Sequence, residues 1–505
     1  MKNKKYIAAG LLTMAAMVTT GCSDSFLDVE NPTQQPADEY FTTDAHLQEA
    51  VVAAYQPLHW PDWSHGEYCP LNIISDVMAD DIWVGGSDAN DMKTWHMMMN
   101  YEADALNTIG GIWQVCYKGI KRSNDVLEDM AKGISDMTEE SAKYYEAQVK
   151  ALRALYYTWL WKCYGNVIYF DHNFEGAPYR GTQYTADEIY EFIIKDLDEV
   201  IALDVLPMKE DDANLERMTK AFVYMLYTEV VMYQNDETRM DKVAGYLAEI
   251  MNSGLYDLNP DYGNIFDVTG EWSKESIFEI NYKSDNAVRS YNNPYYPGGT
   301  VLPRLISPNN WPDGNDGHMQ GWGFAPVRQE TYDRYEDGDT RREATCWVVP
   351  EGVEYNKRYQ DTGMFLEKYV AKAGGNDNQK ADADLNWNNN YRVYRYSETL
   401  LYAAELALRG HGSANAQDCL DRVRERAGAS SIAATLDNVI EERHLEFVGE
   451  GKRYYDLIRT GKAASVLVPD AEGYRTNTWT ESKKYLPIPQ SEIDKAEGAI
   501  VQNNY

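Results

Sequence analysis

The sequence predicts a mainly α protein, in which tetratricopeptide-like helix pairs form a scaffold, a loop-rich ligand region lies on it, and β structure is scarce. Three observations carry this. Apolar residues recur at helical spacing over most of the chain. Thr and Gly stand where such helices begin and end. One long stretch, 257–393, loses the period altogether.

From Leu152 the apolar positions run Leu155, Tyr156, Trp159, Leu160 and Cys163, one face of a single helix. Similar faces lie at 44–58, 107–130, 185–204, 219–235, 239–256, 394–410, 415–429 and 436–460. Thr185 and Glu188 have capping-box spacing, and Gly165, Gly254 and Gly410 stand where left-handed C-terminal caps belong. The pair 219–235 with 239–256 is close to a tetratricopeptide unit, about 34 residues. Such pairs bury their faces only by stacking on one another. Between 257 and 393, Asn, Asp, Gly, Pro, Trp and Tyr crowd into Tyr291–Gly299 and Pro308–Phe324. These are turn formers and aromatics, a composition that fits recognition loops better than disorder. The expected order is a signal peptide (1–21), a helical scaffold (22–256), the ligand region (257–393) and a C-terminal helical block (394–505) packed with the rest as one unit.

Composition narrows the function. With 44% hydrophobic and 25% charged residues in 505, the chain is globular. Its net charge of -33 disfavours nucleic acid and makes anionic lipid headgroups poor partners. Tyr (39) and Trp (13) together far outnumber Phe (11). Rings with a flat apolar face and a polar edge suit a ligand that offers both C–H faces and hydroxyls, as a sugar does.

Lys2, Lys4 and Lys5 precede an uncharged apolar run, Ile7–Val18, and then Thr19-Thr20-Gly21-Cys22. The run is too short for a membrane span, which needs about 20 residues. It has the size and flanks of a secretory signal. Cys22 after small residues is the expected lipidation point, where acyl chains tether the mature chain to a membrane. Loss of three lysines and no acids with residues 1–21 takes the charge from -33 to -36. The other five cysteines are odd in number and widely spaced, so no disulfide framework is expected.

No catalytic motif is present: zincin spacing, G-x-S-x-G, a phosphate loop and paired C-x-x-C are all absent. His59, His65 and Cys69 fall close together, but core or solvent positions are expected for them rather than a metal site. The loop Asp313-Gly314-Asn315-Asp316-Gly317 departs from EF-hand spacing, so a plain turn is expected ahead of calcium. Carboxylate pairs such as Asp80-Asp81 arise by chance among 80 acids. Neither a cofactor nor a metal is expected, calcium being the lesser alternative, and the chain is not expected to be an enzyme.

The mature start, CSDSFLDVENPTQQPADEYFTTDAHLQEAVVAAYQPL, and the blocks YRYSETLLYAAELAL, AQDCLDRVRERAG, VIEERHLEFVGEGKRYYDLIRTG and YLPIPQSEIDKAEGAIVQNNY together resemble the SusD/RagB family of Bacteroidetes outer-membrane lipoproteins. The departures are small: Asp421 replaces a usual Asn and Tyr454 a common Trp. The acidic Ser23–Asp28 resembles the export signal to the outer leaflet. The resemblance implies a cell-surface binding protein that delivers oligosaccharides to a SusC-like TonB-dependent outer-membrane transporter. Capture of peptides, as in the RagB branch, is one alternative, and a glycoside hydrolase lipoprotein is a second, which would need two placed carboxylates. By resemblance, Trp83 in Ser75–Trp83 and Trp322 in Gly321-Trp322-Gly323 are cradle positions. Tyr295, Tyr296 and Trp311 would extend the cradle, with Asp80, Asp81, Asn309, Asn310 or Arg328 fixing hydroxyls. Glu442, Arg443, Arg453 and Asp456 are expected to be ion-paired helix residues.

Overall fold

The computed structural model describes residues 40–505 except 175, 177–179 and 313–315, so the signal peptide and Cys22 lie outside it. Thr43 accepts from His46 N and opens α1 (Asp44–Tyr55). α2 (Gly111–Ala131) and α3 (Glu139–Tyr164) follow, the latter capped by Thr138, whose hydroxyl accepts from Ser141 N at 3.0 Å. α3 stops at Gly165, which has a positive φ and where a Cβ would run into the Tyr485 ring. α4 (Ala186–Leu203) opens on the expected capping box of Thr185 and Glu188. α5 (Lys220–Gln234) and α6 (Met240–Asn252) reproduce the predicted helix pair.

Each of these helices packs on the next, α1 on α2 through to α5 on α6. α6 then carries α7 (Tyr396–Leu408), against which α8 (Ala416–Arg426) and α9 (Leu436–Phe447) lie. Leu152, Leu155, Tyr156 and Leu160 of α3 are buried, as their spacing requires. Each such side chain contributes about 1.5–3 kcal/mol by leaving water.

One predicted helix is two. The stretch 436–460 breaks after Phe447 and resumes as α10 (Arg453–Arg459), which packs back on α5. Gly449 and Gly451 both hold positive φ in the break, and a Cβ on Gly451 would meet Leu71 O. The turn aims Glu450 inward, onto Lys368 and Arg395 at 2.8 Å each.

The strands among the described residues form short antiparallel pairs, β1 (Val167–Tyr169) with β2 (Thr182–Tyr184), β3 (Ser276–Ile280) with β6 (Tyr391–Arg395), and β4 (Cys346–Val348) with β5 (Met364–Leu366), beside isolated bridges. Ser276 faces Arg395 and Ile280 faces Tyr391, so the loops between 281 and 390 leave and return on neighbouring strands.

The C-terminal charges are structural, as expected. Arg443 pairs with Asp456 (3.0 Å) and Glu398 (3.1 Å), Arg453 with Asp80 (2.8 Å), and Glu442 with Arg341 and Arg424 (2.6 Å each). Burial alone would raise the Asp456 carboxyl, but the Arg443 and Arg459 guanidiniums outweigh it and hold it below the ordinary range. The five described cysteines are buried and unbridged. No described helix is long and apolar enough to cross a membrane.

Candidate functional site

A two-residue hairpin follows α1. Ser64 and Glu67 exchange backbone hydrogen bonds (3.1 and 2.9 Å) across His65 and Gly66, both at positive φ, the geometry of a type I′ turn. That turn makes Trp63 and Tyr68 cross-strand neighbours, their ring centres 4.5 Å apart. The hairpin is fixed at its base on both sides. Glu67 Oε2 accepts from Gly110 N and Gly111 N (2.8 Å each), where the N-terminus of α2 favours a negative charge. Asp62 receives two hydrogen bonds from Arg289 (2.6 and 2.9 Å), and Arg289 also donates to Trp63 O, Pro294 O and Gly299 O.

Arg289 thereby brings the 289–299 loop against the hairpin. Tyr291 meets Trp63 edge to face at 5.2 Å, with its N–H donating to Asp382. On the other flank Trp322 meets Tyr68 at 5.7 Å. Trp322 is fixed by N–H donation to Arg304 O (2.8 Å), and Gly321 beside it leaves no room for a Cβ against Arg304 O and Ser307 O. The result is an unbroken arc of four rings, Trp322, Tyr68, Trp63 and Tyr291, each at least partly open to solvent. Successive ring planes are tilted by 65°, 39° and 81°, so neighbouring rings are turned from one another rather than coplanar. Arg304, paired with Asp384 at 3.0 Å, supplies polar groups beside Trp322.

The expected site residues divide. Trp322 stands in the arc. Tyr296 is 55% exposed but touches none of the arc's rings. Tyr295 packs instead on Trp60 (4.6 Å) and His65, under the Lys118 ammonium. Trp83 is a correction: its segment is bridged to Phe324 and Val327, and the indole is 3% exposed between Tyr474 and the Arg328 guanidinium. No face is left for a ligand. Trp311 is likewise core, packed on Trp347 at 4.7 Å. Asp81 is fully buried and accepts from His444 at 2.6 Å, out of reach of a ligand, while the half-buried Asp80 is taken up by Arg453. Asn309 binds Gly321 O and Asn356, Arg328 covers Trp83, and Asn310 is exposed.

His59, His65 and Cys69 do not converge: His59 bonds Gln56 O, His65 faces Lys118 and Tyr295, and Cys69 lies buried beside Glu67. Among the described residues, Asp80, Asp81 and His444 do gather closely, but Arg453 neutralises the cluster. Asp313–Asn315 lie outside the described residues, and Asp316 accepts from His318 N. Trp63, Tyr68 and Tyr291 were missed. The legible sign was Trp-Ser-His-Gly-Glu-Tyr, a two-residue turn between aromatics.

An open row of rings, held at the loops of a stacked helical frame, is the build of a binding protein. Residues 340–505 match the family model described as the SusD family, and residues 25–232 match one described as starch-binding associating with outer membrane. The chain is similar to surface glycan-binding protein A from Bacteroides thetaiotaomicron, with 59% identity, a TM-score of 0.89, and coverage of 92% of this chain and 100% of the other. That protein is also known in complex with laminarihexaose. Surface glycan-binding protein A from Bacteroides uniformis is 49% identical, with a TM-score of 0.84 and coverage of 92% and 100%. A laminarin binding SusD-like protein is 28% identical, with a TM-score of 0.82 and coverage of 92% and 99%. This chain belongs to the SusD family.

Proposed function

We propose that the chain is a cell-surface lipoprotein, tethered through Cys22 to the outer membrane, that captures oligosaccharides on the Trp322–Tyr68–Trp63–Tyr291 arc without transforming them. A SusC-like TonB-dependent transporter then receives the bound chain. The contiguous rings, each turned from the next, are the observation that carries this reading. Each ring offers a flat apolar face to a sugar's C–H surface. Because neighbouring rings are rotated from one another, a chain that coils can touch several in turn, whereas a flat ribbon meets them one at a time. A coiling β-1,3-linked glucan of the laminarin kind is therefore the ligand class we assign, in keeping with the laminarihexaose held by the relative from B. thetaiotaomicron.

An open site of this kind binds with a Kd on the order of μM to mM, about -8 to -4 kcal/mol. Calorimetric titration of the lipid-free protein with laminarihexaose and cellohexaose tests it. Saturable heat with the first and none with the second is expected; equal binding of both removes the argument from ring orientation, and release of shorter sugars overturns the non-catalytic reading.

A further inference from the structure

A second cleft, of about 520 Å³, borders the same Gln56–His59 turn that leads into the hairpin but contains none of the arc's four rings. Tyr55, Arg217, Glu271, Trp272 and Asn281 are among the side chains on its wall. Three features there are unexplained by the fold. Trp272 holds φ +54°, a left-handed conformation that strains a bulky residue. Its N–H donates to Glu279 Oε1 at 3.0 Å, and Glu279 is itself fixed by Asn390 at 2.9 Å, so the strained turn is held deliberately in place. The Arg217 guanidinium lies over the Tyr55 ring at 5.3 Å and makes no side-chain hydrogen bond or ion pair to a described residue. Glu271 accepts one hydrogen bond, from Asn390 N at 2.9 Å, and has no described cation within ion-pair distance. Burial pushes its carboxyl up to about 7.

We propose that this cleft is a second sugar-binding site, taking a single sugar unit or a chain end, with Trp272 as the stacking face and Arg217, Glu271 and Asn281 holding hydroxyls. The mixture of charges selects the ligand. An anion would meet Asp212, Glu216, Glu271 and Glu279, and a cation would meet Arg217 and Lys283, whereas a neutral polyol suits donors and acceptors together. A carboxyl that is part protonated near neutrality both gives and takes hydrogen bonds to vicinal hydroxyls. The volume falls within the ordinary range for small-ligand pockets, about 300–1,000 Å³. The proposal rests on the reading of the chain as a glycan-binding protein.

The test separates the two sites. A Trp63→Ala/Trp322→Ala variant, titrated with laminaribiose and laminarihexaose, is expected to keep weak binding of both sugars. Adding Trp272→Gly, which suits the positive φ, or Arg217→Ala is expected to weaken that residual binding at least tenfold with the melting temperature held. Residual binding untouched by both cleft variants, or no residual binding at all, overturns the cleft site. An arc variant that binds like the wild type overturns the arc instead, and the cleft variants then still decide the cleft.

Discussion

Arg289 and Asp62 form a buried two-pronged ion pair, with side chains 1% and 3% exposed, that joins the loop carrying Tyr291 to the hairpin carrying Trp63 and Tyr68. The same guanidinium donates to three backbone carbonyls, so one side chain satisfies both loops at once. Arg289→Met should leave Asp62 buried without a counter-charge and cost about 3–5 kcal/mol. Lys cannot restore it, since an ammonium does not reproduce the planar fork. Denaturant unfolding checks the loss, and titration under native conditions should show glucan affinity falling with it; an unchanged midpoint would contradict the role given to Arg289.

Trp322 and Trp83 should behave in opposite ways. Trp322→Ala removes a ring open to solvent, so it is expected to weaken laminarihexaose binding by about 2 kcal/mol, roughly 30-fold, with little change in melting temperature. Trp83→Ala opens a hole in the core and should destabilise by about 3–5 kcal/mol, with the affinity of the folded fraction unchanged. Melting curves beside titrations of the two variants distinguish these outcomes.

The hairpin turn makes a more subtle prediction. A Cβ on Gly66 meets nothing within 4 Å, so Gly66→Ala is opposed by its φ of +80° and not by crowding. About 1–2 kcal/mol of local strain is expected. Because that strain falls on the turn setting Trp63 opposite Tyr68, affinity should drop while the helical frame melts as before. Circular dichroism melts with parallel titrations read both quantities.

Stability should depend on pH through His444. Burial alone would lower its pKa, but the Asp81 carboxylate outweighs that and holds the imidazolium up to about 9. A folded-state value above the unfolded 6.5 means the contribution is complete below about pH 6.5 and is lost as pH rises through 9. The loss is on the order of 3 kcal/mol. His444→Gln should flatten the stability profile over that window, as measured by denaturation midpoints between pH 6 and 9.5.

How far the sequence reaches follows from which interactions are local. Helix faces such as Leu152–Cys163 and the capping box at Thr185 are set by neighbours within a few residues, and both appear as read. The break at Gly449–Gly451 was less legible, because the apolar period runs through it and only distant Lys368 and Arg395 require the inward turn of Glu450. Trp83 and Trp322 are not told apart by their sequence surroundings, one lying between Ile82 and Val84 and the other between Gly321 and Gly323. What separates them is the pairing of 82–85 with 324–327, which closes over one and leaves the other at the edge. The Tyr291–Trp63 contact depends on a partner more than two hundred residues away, beyond any pattern in the local sequence.

Trp63 and Tyr68 grow from the N-terminal helical portion, whereas Tyr291 and Trp322 belong to loops that depart on β3 and come home on β6. Half of the proposed binding surface is thus inherited with the chassis, and half sits on a cassette whose two ends meet side by side. Drift, lengthening or wholesale exchange inside that cassette can retune what is gripped while the chassis goes on assembling unchanged.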